Sequence, residues 1–387
     1  RLNLQGTKKV LSGELWLTLK DTLEGEKLKG RIEPGSLVTL LSGEGHFLAQ
    51  GYFNPEVYFC LKVISKEEIP INKNFFRDSF EKSLKIRKKL YPNEKVFRLI
   101  HGEGDFLPGL IIDIYEKVAV IQFHTLGMER LKEEIIQGLK ESLPFLEGFV
   151  LKNDFEKRKE EKLPFYVEFI GEVRDPLLVE IDEIKFLIPF EKGQKTGFFL
   201  DQRENRRFLL RISKDKIILD GFSYIGGFSF YALKGGAQRA YLIDRSSLAL
   251  DLALEIAKLN GWKDRLIPVE GDVFHLLKHP FTQGDILILD PPAFIKTKKD
   301  KEKGLRKYEE LYHLGLSYFQ DKEGLLLLFS CSHFLNLEEQ KLMIKKLLSK
   351  KNQKARILKY FFQAPDHPVN PMVEETEYLK GVLLKIN

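Results

Sequence analysis

The stretch Ile286-Leu-Ile-Leu-Asp-Pro-Pro-Ala-Phe294, ILILDPPAF, runs four apolar residues into a carboxylate and two prolines. A strand buried on both faces reads as an unbroken apolar run, whereas a strand wetted on one face alternates. Consecutive prolines fix φ and withhold two amide donors, so the chain must leave the sheet in a stiff extended turn. Asp290 is therefore held at the strand end with its carboxylate forward, and a charge in that position needs a reason.

Other apolar runs of the same kind occur at Lys216–Leu219, Ala240–Ile243, Leu266–Val269 and Leu325–Phe329, separated by segments of helical period. That alternation predicts a parallel, doubly wound α/β sheet, whose ligands bind beyond the carboxyl ends of the strands. The first strand ends in Leu219-Asp-Gly-Phe-Ser-Tyr-Ile-Gly-Gly-Phe-Ser-Phe230. Gly226 and Gly227 let the backbone turn sharply against a ligand, and the following helix start offers unpaired N–H groups. The G-x-G-x-x-G fingerprint is absent, which argues against a pyrophosphate cofactor. The second strand ends at Asp244, placed to accept the hydrogen bonds of a ribose diol. The third ends at Glu270-Gly-Asp272, where Asp272 can reach an exocyclic amine. Each aspartate alone is more often a helix N-cap, but the series favours a nucleoside cofactor without pyrophosphate. The fifth strand ends in Ser330-Cys-Ser332. Cys331 by itself reads as a small buried hydrophobe, yet topology brings it to the strand adjacent to Asp290, so both could share one pocket.

Upstream, residues 1–72 read as short strands broken by Glu33-Pro-Gly35 and Ser42-Gly-Glu-Gly45, a small β-barrel. Asn74–Lys89 carries apolar residues at helical spacing and reads as a connecting helix. Leu110–Tyr115 and Val118–Phe123 form a hairpin, followed by a helix over 127–142 and strands near 148–152 and 166–170, an α+β unit ending near Ile188. The expected domains are thus 1–72, 73–188 and 189–387.

The net charge of +6 and the basic clusters at 82–89, 152–162 and 296–307 fit a polyanion-binding surface, although Lys and Glu are interleaved elsewhere. With only Cys60 and Cys331, far apart, a disulfide framework is not expected, and no Cys/His spacing suggests a metal. No apolar run approaches a membrane span and no apolar leader opens the chain, so a cytoplasmic protein is expected. The chain starts at Arg1 without Met, so residues are expected to be missing before it.

Together, Asp220-x-Phe-Ser-Tyr-x-Gly-Gly-Phe228, Asp290-Pro-Pro-x-Phe294, Ser330-Cys-Ser332 and Gly193-Gln-Lys-Thr-Gly-Phe-Phe-Leu-Asp-Gln-Arg203 resemble the large-subunit ribosomal RNA methyltransferase I family. Arg98-Leu-Ile-His-Gly102, Leu107-Pro-Gly-Leu-Ile111, Ala364-Pro-Asp-His-Pro-Val369 and Glu375-Thr-Glu-Tyr-Leu-Lys-Gly381 are similar to it too. Ile225, where Thr is commoner, is a departure that leaves the loop glycines intact. The resemblance implies an N-terminal PUA domain, a small α+β domain and a Rossmann-like class I methyltransferase domain with a seven-stranded, mostly parallel sheet. It implies S-adenosylmethionine as cofactor and 23S rRNA, free or in a large-subunit particle, as partner. No membrane is implied, and the chain would be a monomer or homodimer. Asp220 through Gly227, including Phe222, Ser223, Tyr224 and Gly226, would wrap the methionine part, Asp244 the ribose and Asp272 the adenine. Asp290 would face the target base. Gln202 is assigned to the cofactor, and Lys195, Arg203, Phe294, Lys296 and Lys298 to the RNA.

Family members of this kind make 5-methylcytosine, and the residues suit that chemistry. A thiolate adding to carbon 6 makes carbon 5 nucleophilic, with Cys331 as the nucleophile and Asp290 as the partner of the cytosine edge. The proton on carbon 5 must then leave; water, Asp290 and Ser332 are all conceivable bases. Methylation of a guanine nitrogen by the same fold needs no cysteine, so Cys331 discriminates between the two. A nicotinamide oxidoreductase would want the missing glycine fingerprint. A non-catalytic RNA-binding protein would not need Asp244, Asp272, Asp290 and Cys331 intact.

Overall fold

The apolar runs pair as a seven-stranded sheet in the computed structural model, which describes residues 1–387. In chain order its strands are Ile217–Gly221, Arg239–Asp244, Leu266–Glu270, Ile286–Leu289, Gly324–Ser330, Ala355–Phe362 and Lys380–Ile386. Their spatial order is third, second, first, fourth, fifth, seventh, sixth. The first five run parallel, and the seventh is antiparallel to both the fifth and the sixth. Strand succession reverses between the first and fourth strands, where Gly221 lies opposite Leu289. A crevice opens at such a reversal because the flanking connections depart to opposite sides.

The central strands are apolar because both faces are covered. All four residues of Ile286–Leu289 are buried, as are Leu326 through Phe329. On one face they pack against Tyr308, Leu311 and Tyr312 of the helix Lys301–Tyr318 and against Ile344 and Leu347 of the helix Leu337–Lys351. Burying each such side chain is worth about 1.5–3 kcal/mol, so the strand ends beneath them are held firmly. The basic run 296–307, read above as a feature following the pocket wall, is helical from Lys301 onward. Gly304 lets that helix lie close against the Phe294–Ile295 segment. A Cβ there would lie 2.3 Å from Ile295 and 2.7 Å from the Phe294 carbonyl.

The chain divides into two compact units. One comprises 1–181, 188–200 and 365–376; the other comprises 182–187, 201–364 and 377–387 and holds the sheet just described.

The first unit begins with a four-stranded antiparallel sheet of Trp16–Leu17, Leu61–Ser65, Phe47–Phe53 and Ser36–Leu41, in that spatial order. The helix Leu4–Ser12 before it was not expected. Asn3 caps it by accepting from the Gly6 amide at 2.9 Å, and Gly13 ends it in the left-handed conformation. Five further strands, Val96–His101, Leu110–Tyr115, Val118–Phe123, Gly148–Asn153 and Tyr166–Gly171, form a second sheet. The helix Lys73–Leu90, expected as a connector, instead buries Phe76 and Phe80 in the core of that sheet. The helix expected over 127–142 is broken at Leu131 into Leu126–Arg130 and Lys132–Ser142.

Buried ion pairs lock this unit. Arg87 donates to both Asp105 oxygens at 2.6 Å and to the carbonyls of Arg98 and Asp366 at 2.9 Å. Arg98 pairs with Asp113, which also accepts from Thr196 Oγ at 2.6 Å. Asp366 accepts from the Arg98 amide at 3.1 Å. The motifs around Arg98, Thr196 and Asp366 thus meet in one network that ties the returning segment 365–376 to the second sheet. Replacing one partner of such a pair leaves the other charge buried and unmatched. Arg87→Met is expected to cost about 3–5 kcal/mol in urea denaturation; a loss below 1 kcal/mol would show that the network does not hold the unit.

Candidate active site

Five strand ends of the second unit present their polar residues to one crevice, beginning with Asp220. Its carboxylate is 1% exposed, and Oδ2 accepts from the Ser229 amide at 3.1 Å and the Ser229 hydroxyl at 2.8 Å. Oδ1 is buried and has no hydrogen-bond partner, nor has Ser223 Oγ. Burial, reinforced by the nearby Asp244 charge, pushes the Asp220 carboxyl up to about 7. Buried polar atoms are seldom left unmatched, so an orphaned carboxylate oxygen beside an orphaned hydroxyl is an acceptor and a donor awaiting a polar ligand.

The loop between them is shaped to admit one. Phe222, Tyr224 and Gly226 all take positive φ, and Gly226 caps the helix Gly227–Lys234 at φ 85°. A Cβ at Gly226 would meet Leu242 at 2.6 Å, so only glycine fits. Asp244 fastens this loop: Oδ2 accepts from the Tyr224 amide at 2.8 Å and Oδ1 from the Ser246 amide at 2.9 Å. Each oxygen keeps a second lone pair, which suits a ribose diol. Asp272 is the N-cap of the helix Val273–Lys278, accepting from the His275 amide at 2.9 Å, and is also paired with Arg245. Those contacts draw its carboxyl below the ordinary carboxylate range against the opposing effect of partial burial. The cap reading, the commoner one for a lone aspartate, is therefore realised here.

Beside the loop stand three partly buried rings. Phe222, Phe274 and Phe294 have centroids 6.0–6.4 Å apart, and Phe294 leans on Tyr308 at 4.8 Å. Such a cluster offers a flat apolar surface for an aromatic base. Phe274 had no signal of its own, since one phenylalanine at a helix start reads as core.

At the neighbouring strand, Asp290 Oδ2 accepts from Gln202 Nε2 at 3.0 Å, and Gln202 is itself held by Asn205 through a 2.6 Å hydrogen bond. Cys331 is partly exposed and in no disulfide. Its thiol makes a long contact of 3.9 Å to the Pro291 carbonyl. Ser332 Oγ donates to the Ile295 carbonyl at 2.9 Å, clasping the two strand-end loops together. That commitment makes Ser332 a fastening between the loops. Tyr308, on the helix behind, is buried where the charges of Cys331 and Asp290 both add to burial in raising its phenol above the ordinary range. Neither Tyr308 nor Gln340, whose Nε2 donates to Tyr312 and to the Leu328 carbonyl, was singled out in advance.

The residues assigned to RNA are distributed differently. Lys296 and Lys298 are exposed beside Phe294. Lys195 is exposed in the first unit, with its ammonium 4.7 Å from the Phe199 ring centroid. Arg203, expected at the RNA, is 1% exposed. It opens the helix Arg203–Ile212, and the 3.6-residue period turns it inward together with Arg206 and Leu209.

The crevice fits S-adenosylmethionine: Asp220 and Ser223 offer unmatched polar atoms, Asp244 a diol acceptor and the phenylalanines an apolar face. Comparison with known proteins agrees. Residues 1–66 match the PUA-like domain family and residues 169–319 match the S-adenosylmethionine-dependent methyltransferases. The chain is similar at 0.82 TM-score and 24% identity to SMU.776, a methyltransferase solved with SAH, over 99% of this chain and 98% of that one. It is an S-adenosylmethionine-dependent methyltransferase. It is also 33% identical to ribosomal RNA large subunit methyltransferase I of Alteromonas mediterranea, over 93% of this chain and 92% of that protein. With the protein of the same description from Vibrio parahaemolyticus it shares 34% identity, over 93% of both. The chain belongs to the ribosomal RNA large subunit methyltransferase I family.

The raised Asp220 carboxyl has a testable consequence. The folded state keeps its proton to higher pH than the unfolded state does, so its contribution to stability falls as pH rises from about 4 to about 7. Asp220→Asn removes that penalty and the ligand's carboxylate together. The apo variant should melt higher than wild type at pH 8, while calorimetry should show cofactor affinity weakened at least about tenfold. Unchanged affinity would remove Asp220 from the binding site.

Proposed function

We propose that this chain transfers a methyl group from S-adenosylmethionine to carbon 5 of a cytosine in 23S ribosomal RNA, through a covalent adduct with Cys331. The observation carrying this reading is the position of Cys331. It is the one cysteine of the second unit, it leaves the fifth strand beside the Asp290-Pro-Pro turn, and its sulfur is 3.9 Å from the Pro291 carbonyl. A nitrogen acceptor has a lone pair ready and would leave such a thiol without a task.

The cofactor, when bound, supplies a methyl group on a positively charged sulfur. Asp220, Ser223 and the Phe222–Gly227 loop would hold its amino-acid part, Asp244 its ribose and the phenylalanine cluster its base, with Asp272 and Arg245 bordering that end. The Cys331 thiolate forms a bond to cytosine carbon 6, and the π pair of the carbon 5–carbon 6 bond moves to carbon 5, which becomes the nucleophile. Asp290, oriented by Gln202, faces the N3 edge and stabilises the adduct by sharing a proton with it. Once carbon 5 carries the methyl group, loss of its proton returns the electron pair to the ring and expels sulfur as thiolate.

The target base must be turned out of any helix to reach this depth. Phe294 provides a stacking face, and the exposed Lys296 and Lys298 beside it suit the adjoining phosphates. In the PUA-like part of the first unit, Lys62 lies 4.2 Å above the Trp16 ring beside Phe59, and Tyr58 is 74% exposed. Aromatic and basic groups so interleaved fit unpaired RNA. No helix is long and apolar enough to cross a membrane, and we infer a cytoplasmic site of action.

The decisive experiment incubates the protein with labelled S-adenosylmethionine and unmodified 23S rRNA, digests the RNA and identifies the nucleoside by mass spectrometry. 5-Methylcytidine is expected; 7-methylguanosine would overturn the proposal. Cys331→Ala should retain cofactor binding while turnover falls by at least about a thousandfold, and undiminished turnover would exclude the covalent route.

A further inference from the structure

Lys380 is a cation where none would be expected. It opens the seventh strand, opposite Ser330 of the fifth, and the residue is only 6% exposed. Its Nζ donates to the Ser332 carbonyl at 2.7 Å, so the ammonium sits against the Ser330-Cys-Ser332 turn. No carboxylate lies within salt-bridge distance of it. Buried ammonium groups are ordinarily matched by an anion. The groups that act on Lys380 electrostatically are Cys331, Glu377 in the segment before its strand, and Glu339 of the helix Leu337–Lys351. Glu339 is already bound to Lys301 at 2.7 Å. Of these three, Cys331 exerts the largest charge effect.

We infer that Lys380 is a positioning residue that holds Cys331 in its thiolate form, with the Lys380 ammonium as counter-ion and the Ser332 carbonyl fixing where that ammonium sits. The proposal rests on Cys331 being the nucleophile, and deepens it by naming what activates the thiol. A charge that favours one partner favours the other by the same amount. Burial lowers the Lys380 ammonium to about 8, and a thiolate at Cys331 opposes that fall. The ammonium must lower the thiol reciprocally. Other titratable groups also lie around the thiol. The Asp290 carboxyl, on the fourth-strand exit, accepts from Gln202, and negative charge on it disfavours a thiolate nearby. Tyr308, from the helix Lys301–Tyr318, is kept protonated by burial. His333, the next residue but one, lies with its ring 6.0 Å from Tyr378. The Lys380 ammonium, seated against the turn that carries the thiol, favours the thiolate.

The test reads the thiol directly. The full-length protein is treated with iodoacetamide across about pH 5.5–9.5, and alkylation of the Cys331 peptide is followed by mass spectrometry, the thiolate being the reacting form. Cys60 is an internal control: it is 1% exposed and burial pushes its thiol up to about 11. Lys380→Met should raise the midpoint of the Cys331 profile by about one unit and slow alkylation at pH 7 about tenfold. Lys380→Gln keeps a donor for the Ser332 carbonyl but not the charge, and should shift the profile equally; Lys380→Arg should restore it. A purely structural lysine would be replaced by Gln without a shift. Profiles of folded Met and Gln variants that superimpose on wild type would overturn the inference. Should Cys331→Ala retain turnover, the covalent reading falls, but the alkylation profiles do not depend on it, so the two failures are distinguishable.

Discussion

The pairing of the first strand with the fourth is the constraint on which the site depends. Gly221 lies opposite Leu289, and the Asp290 amide reaches the Gly221 carbonyl at 3.4 Å. The glycine loop and the Asp290-Pro-Pro turn both leave the sheet within a few residues of that pair. Because succession reverses there, one connection departs through the glycine loop and the other through Asp290-Pro-Pro, and the crevice lies between them. The apolar packing beneath, from Leu219 and Leu287 to Leu326 and Leu328, positions the loops without contributing a polar atom to them.

Two buried charges then define what the crevice can do. Asp220 is a carboxyl enclosed at the end of the first strand, bonded to Ser229 and with one oxygen unmatched. Lys380 is a cation enclosed behind Cys331, stabilised by the Ser332 carbonyl. Each is costly to bury as a charge and gains when a matching charge is brought beside it.

Much of this was legible along the chain. Apolar runs at 286–289 and 325–329 marked central strands because only strands covered on both faces dispense with alternation, and the polar residues after them marked the ligand edge. The hairpin Leu110–Tyr115 and Val118–Phe123 was equally plain. What escaped were features set by local capping or by distant partners. The helix Leu4–Ser12 rests on Asn3 and Gly13. The strand Val96–His101 is interrupted by Arg98, whose guanidinium finds a buried partner in Asp113 and whose backbone amide donates to Asp366. Arg203 reads as a surface cation until the helix it opens turns it inward. Asp272 shows why a residue type at the right place does not settle its contacts, since its carboxylate caps a helix and pairs with Arg245.

The order of elements, the chemistry at the strand ends and the family are determined by the sequence alone, because periodicity and turn residues act over a few positions and survive without knowledge of the fold. Only the tertiary structure decided which of those end groups meet. Lys380 lies 49 residues after Cys331 in a motif with no evident chemistry, and becomes its neighbour only because the seventh strand inserts antiparallel beside the fifth. Tyr308 and Phe274 come to the crevice from helices in the same manner. Burial and field are properties of the packed chain, and they convert an unremarkable lysine or tyrosine into a group with altered proton affinity.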